Sequence, residues 1–208
     1  MKVFSAVLTL FLAATAVLAL PQQGGFLSDV LPRDYTLSNI TWTGAVFEGG
    51  SNETFTGTSL QDIEAQIQAV NPSFDWANKN STDESYKTAN EGYYGEVRCN
   101  IPGYKAAVST HILEGIDYLS RLTGDCTAGP ADGSGKGNCG RVSCSWNSAI
   151  FYCNDNLEPH TEPCNAFATY AHDVLFTCWQ RIHYTSTWTQ GQQFGPSNFN
   201  VVVGKDYC

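Results

Sequence analysis

The stretch Cys139-Gly-Arg-Val-Ser-Cys144-Ser-Trp-Asn-Ser-Ala-Ile-Phe-Tyr-Cys153-Asn-Asp-Asn156 decides how this chain folds. A run around Val142 and a second run, Ala149 to Tyr152, flank a polar turn near Asn147-Ser148. Asn154-Asp-Asn156 ends the second run, so the pattern predicts a β-hairpin. The hairpin carries three cysteines, and Cys99, Cys126, Cys164, Cys178 and Cys208 bring the total to eight. An even count behind a secretory signal implies four disulfides closed in an oxidising compartment. The spacing disfavours zinc: there is no C-x-x-C pair, and the C-x4-C pair Cys139/Cys144 lacks a matching histidine pair. The sequence leaves the connectivity open.

On the N-terminal side of the hairpin, Tyr94 to Cys99 reads as a short strand. A helix capped by Ser109 or Thr110 runs to about Leu122, with Ile112, Leu113, Ile116 and Leu119 on its buried stripe and Gly124 as its stop. Thr127 to Asn138 reads as a flexible Gly-rich loop bounded by cysteines. On the C-terminal side, Glu158-Pro-His160-Thr-Glu162 reads as a polar loop that enters a helix at Pro163. That helix buries Phe167, Ala171, Val174, Leu175 and Cys178. Two strands, roughly Tyr184 to Thr189 and Phe199 to Val203, finish the chain. The resulting order is β-α-β-β-α-β-β, in which two helices cover one face of an antiparallel sheet.

Residues 1–19 read as a signal peptide: Lys2, then an apolar run from Val7 to Leu18 that is too short to span a bilayer, with cleavage after Ala19. Residues 20–38, with Pro21, Gly24, Gly25 and Pro32, read as a flexible leader. Residues 39–92 form a glycosylated ββα extension and a polar connector. Ile40, Trp42, Gly44 and Val46 alternate with Thr41, Thr43 and Ala45, and Glu48 to Asn52 turns the chain into a second strand. Ser59 then caps a helix that places Leu60, Ile63, Ile67 and Val70 on one side and stops at Asn71-Pro72. The extension is too small to fold alone and is expected to pack on the rest. Asn39, Asn52 and Asn80 head glycosylation sequons, and all three precede Cys99. The cysteine-rich domain occupies residues 93–208.

The chain has 11 basic and 20 acidic residues, a formal charge of −9. Such a chain is repelled by nucleic-acid phosphates and anionic lipid unless its few cations cluster, and they do not cluster in sequence. Nucleic acid is therefore excluded as a partner. No membrane span is expected, and the protein is expected to act as a monomer without a cofactor.

Catalytic motifs are weak. Gly135-Lys-Gly137-Asn-Cys-Gly140 matches G-x-G-x-x-G, but a loop precedes it and a strand follows it, the reverse of a dinucleotide fold. Glu158, His160 and Glu162 offer acid/base groups within five residues, and His172 sits beside Asp173. A small hydrolase would use His160 or His172 with such a carboxylate. His111 and Glu114 share a solvated helix face, and His183 lies near a strand start. No serine occupies a nucleophile elbow near any of them. Trp146, Trp179, Tyr184 and Trp188 are the better candidates, because aromatics at turns and element ends present flat apolar area to sugars or protein partners. Trp42 and Trp76 could do the same or be buried.

Several pieces together carry a likeness: Glu114-Gly-Ile-Asp-Tyr-Leu119 before Cys126, Cys139-Gly-Arg-Val-Ser-Cys144, Ala149 to Asn156, and Asn198-Phe-Asn-Val-Val-Val203 before a terminal cysteine. Over Cys99–Cys208 the chain resembles a class of fungal small secreted cysteine-rich proteins. It is similar in layout to the necrosis-inducing effectors and to the smut-fungus killer toxin. The cysteine count departs from both, and the segment before Cys99 has no counterpart in the killer toxin. The resemblance implies an α/β sandwich, no enzymatic activity, and action outside the producing cell on a host or a competitor. The sequence therefore leads us to expect an α+β fold in which a disulfide-stapled antiparallel sheet is covered by two helices, with a small N-terminal ββα extension. The expected function is that of a secreted, non-enzymatic effector or toxin-like protein that binds an extracellular protein or cell-wall target. A hydrolase and a cell-wall or carbohydrate-binding protein are the alternatives.

Overall fold

The structure is a computed structural model that describes residue 31 and residues 35–76, 95–181 and 187–208. The signal segment, Asn80, His183 and Tyr184 lie outside the described residues. The fold is α+β and stapled by disulfides.

The hairpin forms the centre. Strands β7 (Gly137–Ser145) and β8 (Ser148–Asn154) pair antiparallel, with Cys139 directly opposite Cys153. Trp146 and Asn147 form a two-residue turn with φ of 50° and 57°, the backbone of a type I′ hairpin turn. Strand β13 (Phe199–Lys205) pairs with the other edge of β8, and β12 (Gly191–Phe194) and β4 (Val97–Cys99) extend the sheet beyond it. β1 (Tyr35–Ser38) adds in parallel to β7, giving the order β1-β7-β8-β13-β12-β4. Every residue of β8 is buried, so both faces of the sheet are covered. Ile150, Tyr152, Val201 and Val203 face helices α2 (Ser109–Ser120) and α3 (Ala166–Cys178). Phe151, Cys153 and Val202 face the opposite way, under Leu31, Tyr104, Leu37 and Ile101.

A second sheet has the order β3-β2-β6-β9 and is wholly antiparallel. β2 (Ile40–Ala45) and β3 (Asn52–Gly57) come from the early chain, while β6 (Asp125–Ala128) and β9 (His160–Pro163) come from the cysteine-rich part. Helix α1 (Leu60–Val70) packs on β3 and β2, and its Ser59 cap accepts from the Asp62 N–H as the sequence predicts. Leu60, Ile63 and Ile67 are buried, but Val70 is exposed. A third small sheet joins β5 (Ala107–Val108), β11 (Thr187–Thr189) and β10 (Gln180–Arg181).

Several expectations need correction. Tyr35–Ser38 is a strand rather than flexible leader, because β7 would otherwise leave a row of backbone groups unpaired. Ile40, Trp42, Phe74 and Trp76 share one apolar cluster with α2, α3 and β8, so the early chain packs on the cysteine-rich part. Gly124 does not stop α2, which ends at Ser120. Gly124 has φ +84°, and a Cβ there would lie 2.6 Å from both the Thr43 carbonyl and Trp42 Nε1; glycine lets the backbone pass beneath that ring. Neither Ser109 nor Thr110 caps α2: the N-cap is Val108, which makes no side-chain bond, and Ser109 is buried inside the first turn. Residues 125–128 and 160–163 are strands, not loop, and Pro163 sits on the edge strand β9 opposite Asp125, where a missing N–H costs nothing. β13 begins at Phe199 as the sequence predicts and runs on to Lys205, whereas β12 has no counterpart among the predicted strands.

The four disulfides are Cys99–Cys178, Cys126–Cys164, Cys139–Cys153 and Cys144–Cys208, with Cα separations of 4.0–5.5 Å. The cysteines that bound the Gly-rich loop therefore bond elsewhere. The loop is organised instead by Asp132, whose Oδ1 accepts from the Ser134 N–H, the Ser134 hydroxyl and the Lys136 N–H. No helix among the described residues is long and apolar enough to cross a membrane.

Candidate binding face

Helices α2 and α3 lie side by side on the central sheet. Their inner stripes are buried, yet Leu113 on α2 and Phe176 on α3 remain 44% and 60% exposed. The sequence placed Leu113 on the buried stripe. It sits one residue beyond Ile112, about 100° around the helix, and so clears the sheet. Trp179 follows α3 in extended conformation and is also exposed. Its position is set by its neighbour Cys178, which is bonded to Cys99 on β4. Leu113, Leu175, Phe176 and Trp179, with Ser109 and Thr110, line a cleft of about 230 Å³. His172 packs its ring against Phe176, 4.3 Å between centroids, one turn earlier on α3. Beyond the N-terminus of α2, Trp146 stacks over His111 at 5.8 Å and is 75% exposed.

The face therefore gathers two of the sequence candidates, Trp146 and Trp179, and adds Leu113 and Phe176. Trp188 lies on β11 and is partly buried. Trp42 and Trp76 belong to the core. Phe176 was legible as an apolar residue off the stripe of its helix, although the sequence reading passed over it.

The histidine–carboxylate candidates fall in different places. His172 Nδ1 lies 3.7 Å from Asp173, and both side chains are substantially exposed. His111 Nδ1 lies 3.0 Å from Glu114 at the surface. His160 is more enclosed. The Tyr152 hydroxyl lies 2.6 Å from its Nδ1 and 2.9 Å from its carbonyl oxygen, and Glu162 Oε1 is 3.6 Å from Nε2. A phenol has one proton, and a carbonyl can only accept. Both contacts are satisfied only when Tyr152 donates to the carbonyl and Nδ1–H donates to the phenol, which leaves the lone pair on Nε2. Burial lowers the His160 pKa, and burial followed by the nearby Asp125 charge raises that of Glu162.

These two shifts make opposite contributions. His160 has its folded pKa below its unfolded value, so its contribution to stability falls as pH drops through the ordinary histidine range near 6.5. Glu162 has its folded pKa raised, so its contribution falls as pH rises from the ordinary carboxylate value through the folded one. An NMR titration of the imidazole resonances is expected to place His160 below the free-histidine value. A midpoint at or above about 6.5 would show that burial does not hold the ring neutral.

The outer face of the second sheet is lined with threonine. Thr41 pairs with Thr56, Thr43 with Thr54, and Thr127 with Thr161, at 2.9, 3.1 and 2.8 Å between hydroxyls. Asn39 precedes Thr41 by two residues and Asn52 precedes Thr54 by two, so both share this outer face at opposite ends of the β2–β3 pair, and both are exposed. Comparison of the chain with protein-family models, with curated proteins and with solved structures found no match in any of the three.

Proposed function

We propose that this is a secreted, non-enzymatic protein, toxin- or effector-like, that acts by binding an extracellular host or competitor target. The observation that carries this reading is the exposed rim of Leu113 on α2 with Phe176 and Trp179 at the end of α3 around an apolar cleft, the end of α3 being bonded to the sheet edge through Cys99–Cys178. A rigid aromatic anchor beside an apolar cleft has the form of a binding hot spot, since tryptophan is enriched there and its ordering cost has already been met by the scaffold. Asn39 and Asn52, both exposed, lie on the threonine face rather than on α2 or α3, so glycans on those two would not grow from the helix face.

The test applies purified protein to plant tissue and to competing microbes. Wild-type protein is expected to cause cell death or growth arrest in at least one assay, and Trp179→Ala to need about thirtyfold more protein for the same effect, the ratio expected for loss of a hot-spot contact. Full activity of Trp179→Ala, or an inert wild-type protein, would remove the proposal.

The Tyr152–His160–Glu162 contact supports a second reading, a hydrolase with Nε2 of His160 as base. Turnover of polysaccharide, peptide or RNA that disappears in His160→Ala would establish it in place of the first.

A further inference from the structure

Two basic residues that lie far apart in the sequence, Lys105 and Lys205, meet in space. Lys205 closes β13, and its N–H donates to the Lys105 carbonyl at 2.8 Å, so two lysines a hundred positions apart lie on adjacent backbones. Lys205 pairs with Ser148 across the sheet, and the Asp206 N–H reaches the Asn147 carbonyl at 3.3 Å, which places both beside the β7–β8 turn. Trp146 projects from that turn. Tyr207, 64% exposed, lies with its ring 5.8 Å from Lys205 Nζ. The Cys144–Cys208 disulfide ties the last residue to the end of β7, which fixes this corner.

The charges here are available. Arg98 is paired with Glu96 and Arg141 with Asp206, but neither Lys105 nor Lys205 has a carboxylate partner among the described residues. The acid inside the corner, Asp206, is buried and paired with Arg141, and Glu114 faces His111 beneath Trp146. Exposed acidic charges more than about 8 Å away are largely screened at physiological salt.

The turn itself is unusual. Type I′ turns favour Asn and Gly, and a bulky residue at positive φ is a strained choice. Trp146 is held at φ 50° and is three-quarters exposed. A strained, exposed tryptophan points to a use for its side chain rather than to the needs of the fold.

We propose that this corner, made of Trp146, Lys105, Lys205 and Tyr207, is a docking surface for an anionic phospholipid membrane. Tryptophan and tyrosine sit at the headgroup level with the ring in the apolar boundary and the polar edge in water, and lysines beside them meet acidic headgroups. A tryptophan projecting from a turn suits a soft, flat surface better than the groove a peptide ligand requires. The inference rests on the reading that the protein works outside its producing cell, and it supplies the surface on which the target would be met.

The test is flotation of the purified full-length protein with vesicles of phosphatidylcholine alone and of a roughly three-to-one phosphatidylcholine–phosphatidylserine mixture. Binding is expected to the mixed vesicles, to fall as salt is raised, and to weaken about fivefold for each lysine changed to alanine at 105 or 205. Trp146→Asn is the sharper variant. Asparagine is at home in a type I′ turn, so the melting temperature should hold or rise while vesicle binding is lost. Arg121→Ala together with Lys136→Ala, two cations elsewhere, should bind as wild type. No binding to the mixed vesicles, equal binding to both kinds, or full binding by Trp146→Asn would overturn the proposal. So would wild-type protein that ignores vesicles but is retained on immobilised polyglutamate, since the corner would then take an acidic polypeptide. Vesicle binding without any effect on cells leaves this inference standing and removes the proposed function; the reverse result removes this inference alone.

Discussion

Trp42→Ala is expected to lower the free energy of unfolding by about 3–5 kcal/mol. The residue is fully buried, and its ring packs edge-on to Trp76 at 5.4 Å and to Phe74 at 6.3 Å, and lies tilted against Phe55 at 6.2 Å. It thus joins β2, β3 and the segment after α1. Its Nε1–H donates to the Thr123 carbonyl at 2.7 Å, which fastens the early chain to the connection between α2 and β6. Alanine removes that packing, leaves a cavity that rigid strands cannot collapse, and leaves a part-buried carbonyl without its donor. A domain of this size is stable by only about 5–15 kcal/mol, so the variant would sit near its threshold. Trp42→Phe retains most of the packing and loses the hydrogen bond, so it should cost less, about 1–3 kcal/mol. Urea unfolding followed by far-UV circular dichroism separates the two. A loss below about 1 kcal/mol for the alanine variant would mean that the early segment is not joined to the core through this ring.

Trp42 also shows where reading the sequence succeeds and where it stops. The alternation around it identifies β2, and helical spacing identifies α1, α2 and α3, because those elements carry their own periodic pattern. The hairpin was legible, although its turn is Trp146-Asn147, one residue before the predicted Asn147-Ser148. β6, β9 and β12 were not, since Asp-Cys-Thr-Ala, His-Thr-Glu-Pro and Gly-Gln-Gln-Phe have no strand pattern of their own. β6 is a strand because β2 offers it backbone partners, β9 because β6 does and β12 because β13 does, and Gln192 and Gln193 are buried for the same reason. Of the helix face, Trp146 and Trp179 were visible as aromatics at element ends, whereas the exposure of Leu113 depends on how far α2 is rolled over the sheet. The pairing of Lys105 with Lys205 is set by a contact between residues a hundred positions apart, which no local pattern encodes.

The four disulfides should contribute unequally, in an order set by the length of chain each one closes. Cys99–Cys178 spans 79 residues, and Cys139–Cys153 spans 14. Chain-entropy reasoning assigns the longer closure about 4.5 kcal/mol and the shorter about 3 kcal/mol. Cys139–Cys153 also links two residues that already face each other in the β7–β8 ladder, so the hairpin keeps its register without the bond. Cys99–Cys178 instead joins the last strand of the sheet to the C-terminal end of α3, two elements with no shared hydrogen-bond ladder. The double alanine variant at 99 and 178 is therefore expected to lose about 1.5 kcal/mol more than the variant at 139 and 153, measured by urea unfolding of both. It should also release Trp179, the residue next to Cys178, so its potency on cells should fall even under conditions where most molecules remain folded. Equal losses, or a larger loss at 139 and 153, would place the stabilisation in local strand geometry rather than in long-range closure. The helix face would then owe its position to packing on the sheet alone.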